Sequence, residues 1–225
     1  MPGWKFVSGA LTRISAGSVT NVWGVNSAGA IYRYTGDDSN PWVNIPGSLS
    51  DIGAAADGTV WGCNSAGAIY RYTWDTKHWV NIPGSLTRIS AGSATNVWGV
   101  NAAGAIYRYT GDDSNPWANI PGFLSDIGVG ADGTVWGVNS AGAIYRYTWD
   151  STHWVNVPGN LVAISAGVKT NVWGVNGGAG IYTYTGDDSN AWVNIVGGLT
   201  DIGVGTDGVV WGVNGAGNIF RYTRD

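Results

Sequence analysis

The sequence predicts an all-β protein, a six-bladed β-propeller with four antiparallel strands in each blade. Three observations support this fold class: the composition, a repeat marked by tryptophan, and four strand signals within each repeat. The 225 residues include 37 Gly, 14 Trp and 11 Tyr, and the 15 acidic residues are all Asp. A chain rich in glycine and aromatic residues and poor in helix formers favours β structure. We expect residues 1–225 to form a single domain.

Two sets of tryptophans divide the chain into six repeats. Both sets advance by 38, 37, 38, 37 and 38 residues, so odd and even repeats differ and a 75-residue pair fills the chain three times. A period near 40 residues with four strands is typical of a propeller blade. The first set is Trp4, Trp42, Trp79, Trp117, Trp154 and Trp192, and the second is Trp23, Trp61, Trp98, Trp136, Trp173 and Trp211.

Four predicted strands follow one another in each repeat. The first, such as "LTRISAG", carries the small residues that a propeller needs where its strands converge on the axis. "VWGVN" is the second strand, and an Asn-x-x-Gly turn such as 26–29 joins it to the third, "AIYRYT". "WVNIPG" is the fourth strand, at the rim. Asp-Gly pairs at Asp57, Asp132 and Asp207 predict hairpin turns between the first and second strands.

The two ends of the sequence predict closure of the ring. Residues 4–8 read "WKFVS" and align with a rim strand, whereas the sequence ends just after the third strand that contains Tyr222. The N-terminal strand would therefore complete the last blade and remove an exposed edge.

Several repeated residues have a structural interpretation. Trp23, Val25, Ile31 and their equivalents are predicted to form the core between blades, and the Asn of "VNSAG" is predicted to stabilise its turn. Near the axis, the first strands of two odd repeats carry Arg13 and Arg88. The first strands of the even repeats carry Asp51, Asp126 and Asp201 at the same position, which predicts ion pairs between neighbouring blades. The fifth blade interrupts this alternation with Ala163.

The candidate binding residues lie on the third strand, on the rim strand and in the loop between them. An arginine in mid-strand between two tyrosines needs a partner, and stacking on an aromatic ring and contact with a ligand both remain open. A tryptophan in a polar loop suggests an exposed platform for an apolar ligand face. The candidates are Arg33, Arg71, Arg108, Arg146 and Arg221; the rim residues Trp42, Trp79, Trp117, Trp154 and Trp192; and, in the loops, Trp74, Trp149, Asp38, Asp113, Asp188, Asn40, Asn115 and Asn190.

Charge and composition argue against several function classes. A net charge of −4 with only 11 basic residues does not predict the clustered basic surface that binding of nucleic acid requires. No apolar run is long enough to cross a membrane, and we expect a soluble cytoplasmic protein without membrane insertion. The single Cys63 reads as a buried hydrophobe. We expect no enzyme activity, cofactor or metal, because His78 and His153 lie two blades apart and the Asp37-Asp38 pair alone is a weak Ca²⁺ signal.

The repeat "VWGVNSAGAIYRYT" followed by "WVNIPGSLSDIGAAADGTVWG" resembles the tectonin family, and within it the fungal tectonin 2 type, over all six repeats. The resemblance implies a carbohydrate-binding propeller that recognises O-methylated glycans on bacterial and nematode surfaces, including bacterial lipopolysaccharide, in cytoplasmic defence. It does not transfer individual site residues.

Two locations for the sites remain open at this stage. The first is one face of the ring, where third-strand arginines, rim tryptophans and polar loops would form clefts between blades; Thr183 in the fifth blade then predicts five good sites and one weaker one. The second is the opposite face, built from the Asn-x-x-Gly turns. A protein-interaction scaffold is the alternative function and an enzyme a more distant one. A homo-oligomer is left open.

Overall fold

The computed structural model describes residues 3–223 and consists of six four-stranded antiparallel sheets. In five of them the strands follow one another in chain order from axis to rim, whereas the rim strand of the sixth comes from the N-terminal end. Each sheet is one blade, and the first strand of each lies innermost. This confirms the predicted fold class and the four strands of each repeat. A one-turn 3-10 helix, Asp188–Asn190, lies in the loop before the last strand of the fifth blade.

The strand bounds are, for the closing strand, β1 (Gly3–Val7); for blade one, β2 (Arg13–Ser18), β3 (Asn21–Val25), β4 (Ile31–Tyr34) and β5 (Trp42–Ile45); for blade two, β6 (Asp51–Ala54), β7 (Val60–Cys63), β8 (Ile69–Thr73) and β9 (His78–Ile82). Blade three has β10 (Arg88–Ser93), β11 (Asn96–Val100), β12 (Ala105–Tyr109) and β13 (Trp117–Phe123); blade four has β14 (Asp126–Val129), β15 (Val135–Val138), β16 (Ile144–Thr148) and β17 (His153–Val157). Blade five has β18 (Ala163–Val168), β19 (Asn171–Val175), β20 (Ile181–Tyr184) and β21 (Trp192–Ile195); blade six has β22 (Asp201–Val204), β23 (Val210–Val213) and β24 (Ile219–Thr223).

Strand β1 closes the ring. It pairs antiparallel with β24 over five residue pairs, from Gly3 opposite Thr223 to Val7 opposite Ile219. Val7 is 1% exposed, and the Trp4 ring lies 5.1 Å from that of Tyr222 in an edge contact. The predicted N-terminal closure is thereby confirmed.

The core lies between blades rather than within them. Between blades one and two, Trp23, Val25 and Ile31 pack against Ile52, Val60 and their neighbours in the second blade. The glycine that follows Trp23 cannot be replaced by a residue with a side chain, because a Cβ on Gly24 would lie 2.4 Å from Leu11 Cδ1. Burying each large aliphatic side chain contributes roughly 1.5–3 kcal/mol, so every interface is held by several such contacts.

Ion pairs and turns join the blades further. Arg13 NH1 lies 3.1 Å from Asp201 Oδ1, and Arg88 Nε lies 3.5 Å from Asp126 Oδ1, which confirms the predicted alternation of charge near the axis. The Asp57-Gly58 turn is also as predicted, with Asp57 accepting a hydrogen bond from its own blade at Thr59 N and one from the next blade at Ala94 N. Among the described residues, no helix is long and apolar enough to span a membrane.

Candidate functional site

The ring has two different faces. The loop face carries the connections from first to second and from third to fourth strand. The turn face carries the Asn-x-x-Gly turns and the connections from each rim strand to the next blade. The predicted site residues divide between these two faces.

On the loop face, arginines of the even blades pair with the following odd blade. The Arg71 guanidinium donates to both carboxylate oxygens of Asp113, at 3.0 and 2.8 Å, and to the Tyr109 hydroxyl oxygen at 3.2 Å. Because Arg71 and Tyr109 both donate to it, the pKa of Asp113 lies below its ordinary value. The same arrangement of arginine, aspartate and tyrosine occurs twice more. Arg146 bonds to Asp188 and Tyr184, and Arg221 bonds to Asp38 and Tyr34.

Arginines of the odd blades have another environment. The Arg33 guanidinium lies 5.3 Å from the centre of the Trp74 ring in the next blade, and that of Arg108 lies 4.7 Å from Trp149. Both loop tryptophans are 44% exposed, and each is held by a hydrogen bond from its Nε1 to a hairpin carbonyl, Gly58 O in the case of Trp74. Arg71, Arg146 and Arg221 also lie over a ring, the second-strand tryptophan of their own blade, at 5.3–5.4 Å. All five arginines are therefore stacked, but only three are also ion-paired, so they are not five copies of one site.

A cleft of about 410 Å³ lies on the loop face between blades two and three. Arg71, Tyr72, Trp74 and Tyr109 contribute to its wall, and the rim tryptophans do not. The terminal nitrogens of Arg71, which lines this cleft, already bond to the carboxylate oxygens of Asp113 in the next blade. The cleft offers an exposed indole, while its charged groups are engaged within the protein.

The remaining polar loop residues mainly stabilise the loop itself. Asn40 contributes backbone groups, since its N–H donates to Asp37 O and its carbonyl accepts from Thr35 Oγ1. The Asp37 carboxylate accepts from Ser39, and Asp38 accepts from Lys5 as well as Arg221. The loops with Asn115 and Asn190 repeat this arrangement. Within residues 3–223, no three His, Cys, Asp or Glu side chains are grouped so as to hold a metal ion.

Rim tryptophans lie against the turn-face end of the preceding blade. The Trp154 Nε1 donates to Pro121 O at 3.1 Å, and the same bond joins Trp42, Trp79, Trp117 and Trp192 to the preceding blade. Gly122 has a φ of +127°, and a Cβ there would lie 3.1 Å from the indole Cδ1 and Nε1 of Trp154. Only glycine fits both this backbone conformation and the close contact.

A hollow of about 310 Å³ opens beside this contact, between blades three and four. The Asn139 Oδ1 accepts from Ala141 N at 3.0 Å and Ala143 N at 2.9 Å, so this oxygen is engaged in the turn. Its Nδ2 and the Tyr145 hydroxyl have no hydrogen-bond partner within the described part of the chain. Both groups are available to a ligand. The lining consists of Ile106, Gly122, Phe123, Leu124, Asn139, Tyr145 and Trp154.

The glycine, isoleucine, leucine, asparagine and rim tryptophan recur at all six turn-face clefts, whereas Phe123 is particular to this one. In each, a positive-φ glycine of one blade lies between an isoleucine of that blade and the rim tryptophan of the next. The turn asparagines and the third-strand tyrosines are half-buried throughout. Two clefts depart from this pattern: between blades five and six Phe220 replaces the tyrosine, and between blades four and five Asn176 Nδ2 donates to the Tyr182 hydroxyl oxygen at 3.3 Å. The glycine–tryptophan pairs are Gly9–Trp42, Gly47–Trp79, Gly84–Trp117, Gly122–Trp154, Gly159–Trp192 and Gly197–Trp4.

Sequence reasoning treated these asparagines as turn residues and did not single out the tyrosines Tyr32, Tyr70, Tyr107, Tyr145 and Tyr182. A signal was present, because the asparagine persists in the fifth repeat, where Thr183 replaces the arginine. The asparagine recurs in all six repeats and therefore matches a sixfold function better than the arginine, which recurs in five; the tyrosine also recurs in five.

Comparison with known proteins identifies the fold and the family. No curated protein matches the chain. The gluconolactonase XC5397 from Xanthomonas campestris aligns with a TM-score of 0.74 at 11% identity, covering 96% of this chain and 87% of its own. YCF48 from Cyanidioschyzon merolae aligns at 0.62 and 18% identity, covering 99% and 88%. A streptogramin B lyase aligns at 0.67 and 20%, covering 95% and 78%. At such identities these structures show the propeller fold alone. The profile of the tectonin domain, however, matches residues 2–116 and 112–225, and the chain therefore belongs to the tectonin family.

Proposed function

We propose that this protein is a multivalent lectin whose sugar sites are the six turn-face clefts, and that its ligands are O-methylated glycans. The observation that carries the proposal is the sixfold repetition of one half-buried group around a glycine: an indole, an asparagine amide and a third-strand aromatic ring, which is tyrosine in five clefts and Phe220 in the sixth. A scaffold that binds different proteins would gain from blades that differ, whereas similar clefts suit a small ligand that recurs on a surface.

Each element of the cleft has a function in sugar binding. The Trp154 and Tyr145 rings offer apolar surfaces to the C–H face of a pyranose, and Asn139 Nδ2 can donate to a hydroxyl or ring oxygen. Gly122 lets the Trp154 indole lie directly against the backbone, which fixes the ring in the cleft. The volume of about 310 Å³ is at the lower end of ordinary ligand pockets, which suits a single sugar residue.

Recognition of a methyl ether follows from the apolar residues of the cleft. Ile106 and Leu124 belong to its lining beside the glycine, and such an apolar wall can contact a methyl ether, whereas it offers no hydrogen bond to a free hydroxyl. Burying one such group contributes about 0.8 kcal/mol, which is about fourfold in affinity. A single cleft would bind weakly, and six clefts on one face, presented to a repetitive glycan surface, would raise avidity by about 10²–10⁴.

The proposed cellular role rests on the resemblance to the fungal tectonin 2 type. Methylated sugars on bacterial lipopolysaccharide or nematode glycoconjugates are the ligands we propose, with defence as the purpose and the cytoplasm as the compartment, as in the fungal tectonin 2 type. Catalysis is not part of the proposal, because the lining of the turn-face cleft includes no carboxylate, histidine or cysteine to transfer a proton or attack a substrate.

The experiment is a glycan array that contains methylated and unmethylated versions of the same sugars, probed with two variants of equal charge. One variant carries Asn64→Asp, Asn101→Asp and Asn139→Asp on the turn face, and its matched control carries Asn40→Asp, Asn115→Asp and Asn190→Asp on the loop face. We expect the wild type and the control to bind methylated glycans and the turn-face variant to lose most of its avidity. Absence of glycan binding by the wild type, together with capture of a specific protein, would instead support a scaffold.

A further inference from the structure

The axis of the propeller is surrounded by a ring of charged side chains that lacks one member. Arg13, Asp51, Arg88, Asp126 and Asp201 each lie at the start of an innermost strand, opposite the last residue of the neighbouring strand. Ala163 occupies the equivalent position in blade five. The three carboxylates border one axial cavity of about 30 Å³. This axial ring therefore contains three carboxylates and two guanidinium groups.

The missing arginine leaves the carboxylates unequally paired. Arg13 lies between two of them, 3.1 Å from Asp201 and 3.8 Å from Asp51. Arg88 lies 3.5 Å from Asp126. On its other side Asp126 faces blade five, where Ala163 has no charge to offer. Asp126 and Asp201, on the two sides of Ala163, are thus each flanked by an arginine in one neighbouring blade only, whereas Asp51 lies between Arg13 and Arg88.

The carboxylates cannot relieve this imbalance by turning towards water. Their side chains are only 10%, 13% and 11% exposed for Asp51, Asp126 and Asp201. Each Oδ2 also accepts the N–H of the next innermost strand, as Asp126 does from Ile164 at 2.9 Å. A buried carboxylate that is fixed in place and incompletely paired favours its neutral form.

We infer that the axial ring takes up a proton when the protein folds, so that the propeller is most stable in mildly acidic solution and loses stability towards neutral pH. The cause is the alanine at position 163, which leaves one negative charge of the ring without a counter-charge. The inference does not depend on the glycan sites, because the ring lies on the axis and the clefts lie between the outer strands.

The direction of two pKa shifts agrees with a buried ring that holds more carboxylates than guanidinium groups. Burial raises the pKa of Asp126 to about 7 and that of Asp51 to about 6, although Arg13 and Arg88 act in the opposite direction. An unfolded aspartate has its ordinary pKa near 4. Between about pH 4 and 7 the folded state therefore holds a proton that the unfolded state lacks. Stability falls as the pH rises through this window, and the unfolding constant rises by up to about tenfold per pH unit.

Other titratable groups act outside this window or away from the axis. The innermost strands contribute no charged residues to the ring besides the five named above, and the neutral Ser15, Ser90 and Ser165 complete its polar lining. The rim carboxylates Asp38, Asp113 and Asp188 have lowered pKa values, so their contribution is lost only below about pH 4. His78 and His153 are exposed near the rim.

The test is urea unfolding between pH 5 and 8 of the full chain carrying His78→Gln and His153→Gln, so that no histidine titrates. In this background we compare Ala163 with Ala163→Arg, which restores the missing charge, and with Ala163→Gln, which adds bulk without charge. The unfolding constant of the parent should rise by at least about tenfold from pH 5 to 7 and level off above pH 7. Ala163→Arg should remove most of this rise, and Ala163→Gln should retain it.

A second measurement does not depend on any axial variant folding. Carboxyl ¹³C resonances of the aspartates in the parent protein should show one axial group titrating near neutral pH, and Asp126→Asn should remove that titration. A flat unfolding profile between pH 5 and 7, equal flattening by Ala163→Gln and Ala163→Arg, or the absence of any aspartate titrating above pH 5 would each overturn the inference.

Discussion

Substitution of Asn139 separates the turn that this residue stabilises from the ligand donor that it provides. Its Oδ1 accepts two backbone hydrogen bonds, at 3.0 and 2.9 Å, and its Nδ2 points away from them. Asn139→Asp retains an oxygen for both backbone donors and removes the Nδ2–H groups. Asn139→Ala removes the oxygen as well.

The structure sets the expected magnitudes. Each of the two hydrogen bonds has a net value of roughly 0.5–1.5 kcal/mol, so Asn139→Ala should lower the free energy of unfolding by about 1–3 kcal/mol. Asn139→Asp should change it by less than about 1 kcal/mol at pH 7, because a carboxylate still accepts both bonds. Loss of one donor to a neutral sugar hydroxyl should weaken that single cleft by about 1 kcal/mol, or roughly fivefold.

Two assays measure these effects separately. Urea unfolding followed by tryptophan fluorescence gives the stability of each variant. Titration of ¹⁵N-labelled protein with a methylated monosaccharide gives the affinity of the individual cleft from the Trp154 indole resonance. If Asn139→Asp destabilises the protein as much as Asn139→Ala, the turn geometry has been misinterpreted. If affinity at Trp154 is unchanged, the amide does not contact the sugar.

Three further predictions concern the ring and its two faces. Trp4→Ala should lower the free energy of unfolding about as much as Trp79→Ala, by roughly 3 kcal/mol, since both rings fill equivalent places between blades; a negligible effect of Trp4→Ala in urea unfolding would contradict closure by β1. Gly122→Ala should destabilise by more than about 1 kcal/mol, because its φ of +127° and the indole 3.1 Å from the new Cβ both disfavour a side chain, and should block ligand shifts at Trp154 only. Asp113→Asn should change stability by less than about 1 kcal/mol, because the Arg71–Asp113 pair is partly exposed, and leave glycan affinity unchanged; loss of binding would return the site to the loop face.

The fold was predictable because its signals are local and repeated. A tryptophan every 37 or 38 residues fixes the number of blades. Small residues on the first strand identify the axis, and a rim-strand pattern at residues 4–8 identifies the closure. Ion pairs near the axis followed from alternating Arg13 and Asp51 type residues. Each of these predictions follows from the spacing and type of residues along the chain and does not require knowing which residue of another blade a side chain contacts.

The site was less predictable because it depends on which blade a side chain reaches. Arg33 and Arg71 have identical sequence neighbours, "IYRYT", yet one lies over Trp74 of the next blade and the other bonds to Asp113. The difference comes from the loop of the following repeat, which is a tryptophan loop in one case and a double-aspartate loop in the other. The rim tryptophans cross to the preceding blade in a similar way, so the sequence could not show that they belong to the turn-face clefts.

Central to this account is the claim that the turn-face clefts bind sugar, and the indole N–H resonances of the tryptophans report on it directly. In a titration of ¹⁵N-labelled protein with an O-methylated monosaccharide, the rim residues, represented by Trp154 and Trp79, should shift progressively. Trp74 and Trp149 on the loop face should remain unchanged, and the unmethylated sugar should require about fourfold more ligand for the same shift. Shifts confined to Trp74 and Trp149 would contradict the assignment of the site to the turn face, and no shift with any methylated sugar would contradict the lectin function itself.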